Sequence, residues 1–347
     1  MHRLKTDLDI VWVGNPFFAP AILEAGVRVR RLDFSQGEYF DWPGLRARID
    51  IKASDVLVLA DKSLPPAILG VEEFPCLTVF YAVDSHIHSW HPFYAQAFDL
   101  CLLSLKDHLG LFTGGRLRPE QVVWTPPCLL TRPVSPDAPE SLEKSWDLLF
   151  VGTVDPSINP ERAAFMESLR ALLPGFHCCR GDYSALYPKA RMVLNHCAAG
   201  DLNFRVFEAL GCGACLLTPF TEHGLGELFQ PGEDLFLYDP LDIPGLIRFA
   251  GELLAQPQRR LEAARSGFRK VVGAHLAAHR ALAFIDLLSA WKRSGTDLEL
   301  IRSRRNEARR IRAGYLRLLY LHLAENLTDY PELRRAYLAE ARRREAG

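Results

Sequence analysis

The pattern that most constrains this chain is a series of short apolar runs separated by stretches of helical length. Asp9–Gly14 (D-I-V-W-V-G) is the first, and Asn15-Pro16 then opens a helix to about Gly26. Val27–Phe34 alternates as a strand does, and Asp55–Ala60, Cys76–Val83, Leu100–Leu105 and Val122–Trp124 follow as further apolar runs. Strands of this kind, with helices between them, predict parallel βαβ units whose sheet is covered on both faces. A second series begins at Asp147–Gly152 (D-L-L-F-V-G), which ends on the same V-G as the first. It continues through a helix over Asn159–Leu173, a strand at Phe176–Cys179, a short helix over Tyr183–Ala190 and a strand at Met192–Asn195. Pro160 sits where a first helical residue is expected. Strands at Ala214–Leu217 and Leu235–Tyr238 and helices over Ile243–Ala255 and Pro257–Leu288 complete it. The expected fold is α/β, with two Rossmann-like domains whose parallel sheets face a cleft, and ligands at the carboxyl ends of the strands.

Between the two series proline thickens, at Pro126-Pro127, Pro133, Pro136 and Pro139, as in a linker. From about Thr296 apolar residues at Ile301, Ala308, Ile311, Tyr315, Leu318 and Leu319 recur at helical spacing, and Thr328–Pro331 breaks the pattern. We therefore expect domains over 1–135 and 136–292 and an appended helical hairpin over 293–347. The residues from 301 on carry 12 arginines against 6 acids. This is either a solvated helix face or a contact with anionic lipid, an acidic partner or a second copy of the chain. Formal net charge is -1, so no overall basic excess points to nucleic acid. No uncharged apolar run approaches the about 18 residues of a membrane span, and the N-terminus lacks a signal-peptide core. Eight cysteines lie mostly in apolar segments, as reduced buried thiols do, which points to the cytoplasm. Cys212 and Cys215 form C-x-x-C without a second pair at zinc-site spacing, so we expect neither a redox nor a metal role.

Three stretches carry candidate chemistry. Gly200–Thr218 reads as a polar loop, a short helix, a glycine turn and an apolar strand. Asn203 and Arg205 fall near the helix start, where free N–H groups attract phosphate. Arginine adds a planar fork of donors, and Glu208, three residues on, can accept bonds from sugar hydroxyls. The plainer alternative is that Arg205 and Glu208 pair with each other. Gly152-Thr153 ends the first strand of the second series and lets backbone approach a ligand. Asp84-Ser85-His86-Ile87-His88, with His91 behind, ends the fourth strand. It reads as a general base, as part of a metal site completed by His196 or His223, or as a helix start capped by Asp84 or Ser85. The base is the preferred functional reading. Glu227, Glu233 and Asp234 are turn acids that either hold sugar hydroxyls or are solvated.

These residues resemble a known family. L-L-F-V-G-T at Leu148–Thr153, L-Y-P-K-A-R-M-V-L-N at Leu186–Asn195, D-L-N-F-R-V-F-E-A-L-G-C-G at Asp201–Gly213 and P-G-E-D-L at Pro231–Leu235 are similar to the donor domain of bacterial group 1 glycosyltransferases of the GT-B fold. With F-Y-A-V-D-S-H-I at Phe80–Ile87 and F-D-L-C-L-L-S-L-K-D at Phe98–Asp107, the resemblance is to the spore-maturation-type branch and covers about residues 76–290. It implies a nucleotide-diphosphate sugar against the second domain, with Arg205 on the diphosphate and Glu208 on the ribose. Asn203, Phe204, Gly152 and Thr153 would line the same pocket. It also implies transfer without a catalytic metal or other cofactor, to a hydroxyl of a cell-surface glycan, a lipid-linked precursor or a protein. Many retaining relatives carry a glutamate eight residues before the conserved one, where this chain has Gly200. Both stereochemical outcomes therefore stay open, with Asp84, His86 or His88 as the base of an inverting route. A nucleotide-sugar epimerase or hydrolase on the same fold, a non-catalytic nucleotide-sugar-binding scaffold and a metal hydrolase built on the histidines are the alternative readings.

Overall fold

The computed structural model describes residues 7–138, 143–197 and 200–343. The first sheet has six parallel strands: β1 (Asp9–Gly14), β2 (Arg28–Leu32), β3 (Val56–Ala60), β4 (Leu77–Ala82), β5 (Leu100–Leu103) and β6 (Val122–Trp124). Their order is β2-β1-β3-β4-β5-β6, with Ile10 opposite both Val29 and Val56 in register. Every residue of β3, β4 and β5 is buried, as expected of parallel strands covered on both faces. The edge strand β2 is half exposed, and this is why its sequence alternates. Its Arg30 reaches Asp55 at 2.6 Å. A helix over Trp42–Ile49, which the sequence did not lead us to expect, is capped by the Asp41 side chain accepting from Gly44 N at 2.8 Å.

The second sheet has five parallel strands: β7 (Trp146–Val151), β8 (Phe176–Cys179), β9 (Ala190–Leu194), β10 (Leu216–Pro219) and β11 (Phe236–Tyr238). Their order is β11-β10-β9-β7-β8. In both sheets, then, the second strand lies on one side of the first and all later strands on the other. The point where the chain changes direction falls between β1 and β3 in the first sheet and between β7 and β9 in the second. The core of the second unit packs Leu148, Phe150, Met166, Leu169, Met192, Leu217 and Leu253, all at or below 2% exposure.

By its contacts the chain divides into one unit of residues 1–125 and 280–347 and another of residues 126–279. The expected bounds at 135 and 292 are therefore displaced. The predicted helix over Pro257–Leu288 is two helices, Pro257–Ala274 and Ala277–Ser294, and the division falls just past the break between them. Nor is the C-terminal hairpin a separate appendage. Its helices, Arg317–Asn326 and Pro331–Arg342, place Leu319, Tyr320, Leu333 and Tyr337 in the same buried cluster as Val11, Leu57 and Phe80. Of the apolar stripe read from the sequence, Ile311 and Leu319 join this core and Ala308 is buried, whereas Leu318 is exposed. Pro139 was expected in the linker and lies, with residues 140–142, outside the described residues. Among the described residues no helix is long and apolar enough to cross a membrane.

Candidate functional site

The second unit's site is built where the sheet changes direction. The connections leaving β7 and β9 part there, beyond the carboxyl ends of the strands, which is where sheets of this kind take their ligands. Gly152 and Thr153 follow β7, and Asn195 and His196 follow β9. The helix Phe204–Gly211 starts beside them, with Asn203 in the cap position and Phe204 as its first residue. From the second residue of this helix Arg205 reaches back across both strand ends. Its Nε donates to Val151 O at 3.2 Å and its Nη1 to Asn195 Oδ1 at 2.9 Å, while the guanidinium lies 4.6 Å over the Phe150 ring. A Cβ at Gly152 would stand 2.9 Å from Arg205 Nη2 and 3.0 Å from Phe150, so glycine makes room for this arginine. Asn195 is in turn held by Thr218, its Nδ2 donating to Oγ1 at 3.0 Å.

A second guanidinium enters from the helix Pro160–Leu172. Asn159 Oδ1 caps that helix by accepting from Arg162 N at 2.9 Å, and Arg162 Nη1 approaches Thr153 O at 3.4 Å. Among the described residues neither Arg162 nor Arg205 forms an ion pair, and the buried Arg162 Nε has no partner. Burial and, next, the Arg205 charge hold the Arg162 pKa below its ordinary value. His196 is buried against Phe165, with ring centroids 4.5 Å apart, and neither of its nitrogens has a partner. Burial followed by the two arginine charges brings its pKa down to about 4, so it is neutral at pH 7. Asn203 Oδ1 is likewise buried without a partner. Two guanidiniums without a carboxylate partner, beside buried polar atoms that lack a hydrogen bond, suit an anion at these strand ends.

Arg205 and Glu208 form no ion pair, because Arg205 turns toward the strand ends. Glu208 is left half-buried with no hydrogen bond to its carboxylate among the described residues, and burial raises its pKa to about 7 against the pull of Arg205. It interacts electrostatically with Tyr183 and Tyr187 on the connection between β8 and β9. Of the acids downstream, buried Asp234 is structural, accepting from Gln230 N at 2.8 Å and Ser266 Oγ at 2.7 Å, while Glu233 is exposed and accepts from Gln230 Nε2 at 2.8 Å. Cys212 and Cys215 are free, buried thiols.

In the first unit Asp61 follows β3, at the change of direction, and Asp84 and the histidines follow the next strand, β4. Asp61 is buried and holds the turn after β4. Its Oδ2 accepts from Val83 N at 3.1 Å and Asp84 N at 2.8 Å, and its Oδ1 accepts from Ser63 N at 2.8 Å. Asp84 accepts a hydrogen bond from the Ser63 hydroxyl. Its carbonyl closes the turn by accepting from Ile87 N and His88 N, each at 3.0 Å. His86 Nδ1, His88 Nε2 and both nitrogens of His91 are buried without partners. His91 lies 3.8 Å from Asp61 Oδ2, and burial, then His88 and His86, hold its pKa well below the usual value. Neither Asp84 nor Ser85 caps a helix: the helix His91–Ala95 follows Trp90, and Ser85 Oγ bonds His108 Nδ1 at 2.9 Å. Among the described residues no group of three or more His, Cys, Asp or Glu is placed to hold a metal ion. The expected base candidates are therefore brought together, with Asp61 behind them. Asp61, Arg162 and His196 were not expected in these roles. A carboxylate directly after β3 and an arginine one turn into the helix after Gly152-Thr153 were the available signals.

A family model described as glycosyl transferase-like matches residues 162–286. No curated relative matches the chain. Among solved structures, sucrose-phosphate synthase from Thermosynechococcus elongatus superposes with a TM-score of 0.58 at 11% identity, covering 83% of this chain and 100% of that one. Anabaena Alr3699/HepE in complex with UDP and glucose gives 0.57 at 12% identity, over 82% and 100% of the two chains. S. aureus TarM, complexed with UDP among other ligands, gives 0.52 at 8% identity over 70% of this chain, which spans only 57% of TarM. With its two parallel sheets the chain thus has the fold of the GT-B glycosyltransferases, and its glycosyl transferase-like segment, residues 162–286, holds both site arginines.

Proposed function

We propose that the protein is a glycosyltransferase of the spore-maturation-type branch that moves a sugar from a nucleotide-diphosphate sugar to a hydroxyl of a glycan, lipid-linked precursor or protein. The observation that carries this reading is the pair Arg162 and Arg205, partly buried without a carboxylate partner where the second sheet changes direction. Two guanidiniums and the first N–H groups of the helix Phe204–Gly211 match the charge that develops on a departing diphosphate. Neutral His196 and Asn203 add polar groups without adding charge. Glu208, one turn along the helix, is free to accept ribose hydroxyls. The UDP and glucose bound by Anabaena HepE support the same class of donor. In the proposed step a base of the first unit, Asp84, His86 or His88, takes the acceptor's hydroxyl proton. The acceptor oxygen then bonds to the anomeric carbon as the bond to the diphosphate oxygen breaks, and the electron pair leaves on the nucleotide. The arginines meet that charge, so no metal is required for it.

Thermal unfolding with UDP-, GDP-, dTDP- and CMP-sugars tests the reading. One nucleotide sugar raises the melting temperature of the wild type, and Arg205→Ala removes the shift. If none of the four shifts the wild type, the donor reading fails; an undiminished shift in Arg205→Ala removes only the diphosphate role of that residue.

A further inference from the structure

The arginines near the C-terminus differ in destination, and Arg310, Arg335 and Arg343 are taken up by surface ion pairs. Arg304 and Arg312 turn inward. Arg304 is fully buried on Asp99 at 2.6 Å and Cys76 O at 2.9 Å, and Arg312 pairs with Glu72 at 2.9 Å and Glu73 at 2.6 Å. Arg302, Arg305, Arg317 and Arg342 are exposed, and none makes an ion pair or side-chain hydrogen bond among the described residues. Arg302 and Arg305 line one open groove and Arg317 and Arg342 another, and the two grooves meet at Arg309. Leucines stand out beside them. Leu298, 62% exposed, lines the groove of Arg302 and Arg305, and Leu318, 73% exposed, follows Arg317.

We propose that this face of the first unit docks on a membrane surface rich in anionic phospholipid headgroups. The guanidinium fork suits phosphate oxygens, and protruding leucines beside arginines suit an interface with headgroups above and acyl chains below. A soluble polyanion would use the arginines and gain nothing from the leucines. Charge also sets the orientation. Of 41 basic and 42 acidic residues, 12 arginines and 6 acids fall after residue 300, so the rest of the chain is net acidic and is repelled where this face is attracted.

Co-sedimentation of the full chain with vesicles tests this, using phosphatidylcholine alone and phosphatidylcholine mixed with phosphatidylglycerol. The wild type sediments only with the anionic vesicles and is released by salt. Each neutralisation, in Arg302→Gln, Arg305→Gln, Arg317→Gln and Arg342→Gln, lowers the partition coefficient about fivefold. Leu298→Ser with Leu318→Ser lowers it further without changing the salt dependence. Unchanged melting temperatures show that these surface variants are folded. The proposal is overturned if the wild type stays in the supernatant at low salt, or if the arginine variants sediment as the wild type does. It is overturned equally if single-stranded RNA binds as tightly as the vesicles and the leucine changes have no effect, which is the behaviour of a polyanion site.

Discussion

Arg205 and Glu208 stand three residues apart on one helix, a spacing at which opposite charges usually pair. Instead each is held in a separate task, Arg205 by Val151 and Asn195 and Glu208 by burial alone. The consequence is a pH dependence in binding. Ribose hydroxyls donate to an ionised carboxylate, so a donor that uses Glu208 binds better as that group loses its proton. Affinity for the nucleotide sugar therefore rises from pH 6 to 8, through the Glu208 pKa of about 7, and calorimetry on Glu208→Gln finds the slope gone. Stability moves in opposite directions at two neighbouring groups. Glu208, raised from 4.5, contributes stability below its unfolded pKa that is lost as pH rises toward 7. His196, lowered from 6.5, contributes stability above its unfolded pKa that is lost as pH falls toward 4. Arg162→Ala removes a charge-assisted donor and weakens nucleotide-sugar binding about tenfold to a hundredfold, as titration calorimetry would read it. That Arg205 and Glu208 share one short helix was legible because their spacing is local. Arg162, Asp61 and His196 were not, because what gives them a role is a neighbour far away in sequence.

At the scale of elements, the strands were legible almost residue for residue where burial on both faces makes them continuously apolar, as in β1, β3 and β7. Helix ends were harder to read. The break after Ala274 follows from Leu129 and His275, whose backbones join at 2.8 Å across the sequence, and its local signal, Gly273, is a weak one. Gly152 follows a strand and Gly213 a helix, and each has a separate physical reason. Gly213 has φ +67, and a Cβ there would meet Pro136 N at 2.5 Å, so Gly213→Ala destabilises the second unit by about 1–3 kcal/mol. Gly152 has no such backbone demand; its added Cβ meets the Arg205 guanidinium and the Phe150 ring. Gly152→Ala therefore displaces a flexible side chain more than it strains the fold. We expect a melting temperature within a few degrees of wild type together with a nucleotide-sugar affinity close to that of Arg205→Ala. Equilibrium unfolding and calorimetry on the two glycine variants separate architecture from site.

The sequence suggested a body with a helical hairpin attached, but the molecule has no such division: residues 280–347 close the core of the first sheet. The difference lies in Arg304, which any sequence reading would count with its exposed neighbours. It sits fully buried, with Nη1 on Asp99 and Nη2 on the carbonyls of Phe74 and Cys76, and so pins the helix Thr296–Asn306 to the strand edges of the first sheet. Removing one member of a buried pair leaves the other charged and without a partner, at a cost of about 3–5 kcal/mol. Arg304→Met should lower the unfolding free energy of the first unit by that amount in urea, and Asp99→Asn in the same chain should recover much of it. Ending the chain after Ser294 is a stronger test. An appended hairpin could be removed with both sheets intact. Here the cut exposes the apolar faces that cover Val11, Leu57 and Phe80, so the shortened protein should bind a hydrophobic dye and lose the protease resistance of residues 7–125. A shortened chain that stayed as protease-resistant as the full one would return the hairpin to the status of an appendage, and Arg304 would then be a local contact and not the pin of a shared core.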